Sequence, residues 1–138
     1  MSFREKTAWI SLVSTGAIYG YYFTKIGGDI GRTGTFGFVP FLVGTVVVLV
    51  IVQVVLAIAL AISSPKDAKA PRDEREQLIA VKARAIGFHV ISAGTFVVCL
   101  LAAVRPSPFA VINALLFVLV VAELVCAASQ VVQFRRSA

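Results

Sequence analysis

The sequence predicts an all-α membrane protein, a bundle of four transmembrane helices, and three observations carry that reading. The 138 residues are 59% hydrophobic and 14% charged, against about 45–50% and about 25% in soluble domains. The apolar residues fall into four long runs, and the basic residues collect at the ends of those runs. A soluble domain of this size has no interior that could hold so much apolar surface, so the surplus must face lipid. The length allows one domain, residues 1–138.

The first run, Thr7 to Thr24, has Trp9 at one interface and Tyr19, Tyr21 and Tyr22 at the other, as an aromatic belt requires. It is short for a span, and the start MSFREK imitates a signal peptide. No small-x-small cleavage site follows, so the segment is read as retained. The second run, Phe38 to Ile62, contains VVVLVIVQVVLAIALAI. Its β-branched residues would suggest a strand in water, but about 20 consecutive apolar residues mean a spanning helix. Pro40 falls in the first turn, where a missing N–H costs little.

The third run, Ala85 to Val104, follows the charged stretch SSPKDAKAPRDEREQ. Pro65 and Pro71 break the chain; Asp73 then offers an N-cap, with Glu76 as its capping-box partner. No breaker separates Asp73 from the apolar run, so one helix is expected to start in water and continue into the bilayer. The fourth run, Phe109 to Phe134, comes after the turn Arg105-Pro106-Ser107-Pro108 and ends on Arg135 and Arg136.

Charge sets the expected topology. Ten of the thirteen Lys and Arg residues lie in the N-terminal tail, the central loop 63–84 and the C-terminal tail. Lys25, Arg32 and Arg105 occupy the other side. The bias places both termini and the central loop in the cytoplasm, across a prokaryotic inner membrane. The two halves also resemble each other. VSTGAIY (Val13 to Tyr19) matches ISAGTFV (Ile91 to Val97), and LVIVQVVLA (Leu49 to Ala57) matches LVVAELVCA (Leu119 to Ala127). Such matches suggest a tandem duplication of a helical hairpin with a pseudo-two-fold along the membrane normal. The alternative is chance alignment of Val/Leu/Ala-rich helices.

Within the spans, Glu123 stands out, because it lies near the middle of the fourth run and a carboxyl at that depth is expensive. It is either a functional group or a neutral carboxyl serving as interhelical glue. His89 and Gln53 reach a similar depth, so Glu123, His89 and Gln53 form an expected intramembrane polar cluster. GAIYG (Gly16 to Gly20) has close-packing GxxxG spacing, and Asn113 lies near enough to the outer end to be solvated. Cys99 and Cys126 lie in apolar runs without CxxC spacing and read as buried structural thiols. The glycine-rich outer loop GGDIGRTG lacks the strand and Lys-Ser/Thr of a phosphate cradle.

A single histidine excludes a bis-histidine haem within the chain, and no catalytic triad or metal-ligand cluster is visible. No enzymatic activity, cofactor or metal is therefore expected. The segment PRDEREQLIAVKARAIGFHVISAG (Pro71 to Gly94), with its Asp-Glu-Arg run, resembles a family of small uncharacterised prokaryotic four-helix membrane proteins. That resemblance implies a regulatory or accessory membrane component and transfers no catalytic residues. The mixed charges of Asp73, Glu74, Arg75 and Glu76 suit docking of a cytosolic or membrane protein better than nucleic acid, which favours a one-signed patch. Homo-oligomers are also expected. The competing expectation is a small proton-coupled transporter, acting as a dimer, in which Glu123 exchanges the proton.

Overall fold

A computed structural model of the chain describes residues 3–27, 37–65, 73–104 and 107–136. These residues form four helices: α1 (Phe3–Ile26), α2 (Val39–Ser63), α3 (Glu74–Val104) and α4 (Pro108–Arg136). The glycine-rich loop at 28–36, most of the charged central loop (66–72) and Arg105-Pro106 of the turn lie outside the described residues.

Three of the helices, α2, α3 and α4, are long and apolar enough to cross a membrane, which makes the chain a membrane protein. Helix α1 has 24 residues but is diluted by Ser11, Ser14, Thr15, Thr24 and its tyrosines. Helix α3 runs unbroken for 31 residues, about 46 Å at the standard rise. Its start follows from Asp73, whose carbonyl accepts the Gln77 N–H at 3.0 Å and so receives the first bond of the helix.

The helices pack in the order α2, α1, α4, α3, so that α1 and α4 are the inner pair. The most polar helix is thus an inner one. Its buried residues Ala8, Thr15, Tyr19, Tyr22 and Ile26 recur at helical spacing and form one stripe. Helix α2 leans on α1 alone among its close neighbours. Val43, Val47, Val50, Ile51 and Val54 are each at least 50% exposed, a surface that lipid covers favourably. Hydroxyls within these helices are satisfied locally: Ser14 donates to the Ile10 carbonyl at 2.6 Å and Thr45 to the Phe41 carbonyl at 2.8 Å.

Close packing occurs where α3 meets α4. A Cβ on Gly94 would stand 2.5 Å from Cγ1 of Val118, and one on Gly87 would stand 3.3 Å from Cβ of Cys126. The GxxxG reading of Gly16 and Gly20 is corrected accordingly. A Cβ on Gly16 would make only ordinary contact with Leu124 at 3.7 Å, and one on Gly20 would meet nothing within 4 Å. Large side chains, Tyr19, Tyr22 and Leu124, fill the region between α1 and α4, so a close backbone approach there is not required.

The end of the bundle away from the N-terminus is closed by interleaved rings. Tyr22 and Phe38 are fully buried. Tyr22 stacks on Phe41 at 5.5 Å, and Phe38 meets Phe109 edge-on at 5.0 Å. The Tyr22 hydroxyl donates to Oδ1 of Asn113 at 2.8 Å, while Nδ2 of Asn113 donates to the Phe109 carbonyl at 2.9 Å. Two readings change here. Tyr19 and Tyr22 belong to the core and only Tyr21 is exposed, while Asn113 is paired rather than solvated.

Gly94→Ala is expected to cost about 1–3 kcal/mol, the usual range for overpacking, with much of the loss recovered when Val118→Ala is added. Gly20→Ala is expected to be neutral or stabilising. Tyr22→Phe is expected to lose about 0.6 kcal/mol, the average of a membrane hydrogen bond. Unfolding midpoints in mixed detergent micelles measure all four.

Candidate functional site: a polar cavity between three helices

At the end opposite the aromatic rings, α1, α3 and α4 diverge around a cavity of about 260 Å³. Small residues make the room: Ala8 on α1, Ala80 on α3 and Ala127 on α4 all line it. The helical rise gives its axial extent. Arg4 to Ser11 on α1 covers about 10 Å, Glu76 to Arg84 on α3 about 12 Å and Phe134 to Glu123 on α4 about 16 Å. Arg4, Glu76, Phe3 and Phe134 therefore form the rim, and Ser11, Arg84 and Glu123 lie deepest.

The rim is bridged. Nε of Arg4 donates to Oε2 of Glu76 at 3.1 Å, with the two side chains 29% and 23% exposed. Partial burial and a single contact put this pair near the upper part of the ~0.2–1 kcal/mol range for exposed pairs. Close by, the Arg135 guanidinium lies 5.5 Å from the centre of the Trp9 ring, a cation–π contact that ties the start of α1 to the end of α4. The Trp9 indole N–H is buried with no hydrogen-bond partner among the described residues.

Deeper in, the charges are not paired. Glu123 and Arg84 both line the cavity, yet neither enters an ion pair or hydrogen bond among the described residues. Gln130, whose amide contacts Sγ of Cys126 at 3.8 Å, adds a further polar group to the wall. The arrangement presents one carboxylate and one guanidinium to the same space. Among the described residues no group of three or more His, Cys, Asp or Glu is placed to hold a metal ion.

The three residues expected to cluster take separate places. Gln53 donates from Nε2 to Oγ1 of Thr15 at 3.2 Å, across the α1–α2 contact. His89 is exposed on the flank of α3, where Nδ1–H meets the Ala85 carbonyl of its own helix at 2.6 Å. Glu123 faces the cavity. Equal depth brought the three to one level, but helix rotation turned them to different neighbours. Of the charged run, Asp73, Glu74 and Arg75 are exposed, whereas Glu76 turns inward to Arg4. Sequence reasoning misses Arg4 and Arg84 as site residues because, in sequence, both serve only as markers of topology. The available signal was the spacing of Glu76, Ala80 and Arg84, which places all three on one face of a helix.

Compared with protein families, curated proteins and solved structures, the chain gave no match. The site is therefore interpreted from its own geometry.

In a chain whose native cysteines are replaced by alanine, Glu123→Cys is expected to react with a water-borne, membrane-impermeant thiol reagent. His89→Cys is expected to stay unmodified on the same timescale. Equal protection of both positions would show that water does not reach Glu123 through the cavity.

Proposed function

We propose that the chain is a non-enzymatic accessory or regulatory component of a prokaryotic inner membrane, docking a partner through the cytoplasmic start of α3. The observation that carries this reading is the length of α3. About 20 residues cross the hydrocarbon core, and α3 has 31, so its first turns project into water. There Asp73, Glu74 and Arg75 are exposed with Leu78, giving a mixed-charge face with an apolar centre. The same face borders Gln133 and Arg136 at the end of α4, so a bound partner touches two helices.

In this proposal α1 is the fourth span, tolerated despite its polarity because α2 and α4 flank it. Both termini are cytoplasmic, in accord with the ten-to-three distribution of basic residues. The matched segments of the two halves fit a duplicated hairpin whose copies have diverged in packing, since α1 is inner and its counterpart α3 is outer.

A second reading, a dimeric proton-coupled transporter, is favoured by one observation: Glu123 faces a cavity rather than a sealed core. Proton flux in proteoliposomes that disappears in Glu123→Gln would decide for it.

Charge reversal of Asp73, Glu74 and Arg75 together is expected to remove specific cytosolic or membrane partners from an in-cell crosslinking experiment. Reporter fusions at residue 138 and within 66–72 should signal cytoplasm, and one within 28–36 the opposite side. An unchanged partner set after charge reversal would rule out docking through this face.

A further inference from the structure

We propose that the cavity between α1, α3 and α4 binds a zwitterion, a group carrying a primary ammonium and an anionic oxygen a few ångströms apart. The phosphoethanolamine head group of a membrane phospholipid has this chemistry, and so does its water-soluble glycerol ester. This inference stands apart from the docking face of α3 and does not depend on it.

The lining, charge and volume of the cavity lead to it. Glu123 and Arg84 line the same space and are not paired with each other or with another described residue. Both side chains are exposed to that space, and a ligand that carries the complementary pair of charges satisfies both. The Arg84 guanidinium donates to the anionic oxygens, where its fork geometry suits phosphate. The Glu123 carboxylate accepts from the ammonium. The volume of about 260 Å³ suits a head group and is small beside the roughly 300–1,000 Å³ of drug-sized pockets.

Charge balance argues against a simple anion. Arg4 is neutralised by Glu76 at the rim, which leaves one positive and one negative group inside. A purely anionic head group would face Glu123 with nothing to offer it. A trimethylammonium would bring charge but no N–H donor.

The way in is also consistent with a lipid. Helices α1 and α3 each pack on α4 more closely than on each other, and the Arg4–Glu76 contact spans the gap between them. The side of the cavity away from α4 is thus flanked by two helices joined at the rim. Phe3 and Phe134 at that rim offer apolar surface to the glycerol and first methylenes.

The test uses the full chain in nanodiscs containing phosphatidylethanolamine, phosphatidylcholine or phosphatidylglycerol, with retained lipid counted by native mass spectrometry. Phosphatidylethanolamine should be retained in preference to the other two. Retention should fall roughly tenfold in Glu123→Gln and in Arg84→Gln, the scale of one lost charge-assisted bond, and persist in Lys82→Gln. Arg84→Lys, which keeps the charge, should retain part of the binding and guards against a folding defect. Glycerophosphoethanolamine is added in a second arm; if it competes, the ligand is reached from water as well as from the bilayer, and if it does not, the bilayer is the source. Equal retention of all three lipids, or no loss in Glu123→Gln, would overturn the proposal.

Discussion

The approach of α3 to α4 at Gly94 and Gly87 sets the positions of the other polar elements. With no Cβ at these two positions, α3 lies close against Val118, Ala122 and Cys126 along one flank of α4. The opposite flank is then left for α1, which is held at a greater distance by Tyr19, Tyr22 and Leu124. One helix closely packed and one held off, both against the same α4, leave a wedge between them at the N-terminal end of α1. That wedge is the cavity, and apart from the Arg4–Glu76 and Gln130–Cys126 contacts the residues facing it owe their position to helix packing rather than to one another.

The two ends of the bundle solve the problem of polar groups in different ways. At the aromatic end, Tyr22 and Asn113 pair with each other and with a backbone carbonyl, so that no exposed charge is needed. At the other end, Arg4 and Glu76 pair at the rim while Glu123 and Arg84 stay open to the cavity. The buried aromatic cluster lies at the first end, and the open cavity at the second.

Helix number and extent were legible in the sequence because length and apolarity determine them: the unbroken run from Asp73 to Val104 appears as one helix from Glu74. Rotation was not legible. Helix α2 is apolar on every side, so its pattern carries no facing information, and Gln53 could have been turned to any neighbour before Thr15 was seen opposite it. The contacts that matter join distant segments, Arg4 to Glu76 and Tyr22 to Asn113, and no local pattern announces them. Composition does carry one sign of facing. In a chain this apolar, the helix richest in Ser, Thr and Tyr belongs inside, and α1 is that helix.

The inner position of α1 also bears on the order in which the protein can be assembled. In the proposed four-span arrangement, synthesis from the N-terminus delivers α1 well before α4. During that interval the Tyr22 hydroxyl lacks Asn113, Arg4 lacks Glu76, and the inward stripe of α1 lacks its wall. The strongly apolar α2, which packs on α1 directly, is the one partner available early, and the Gln53–Thr15 bond can form as soon as the first hairpin exists. Helix α2, peripheral in the finished bundle, is thus placed to act as an escort that keeps a weakly hydrophobic neighbour in the membrane until its permanent partners emerge.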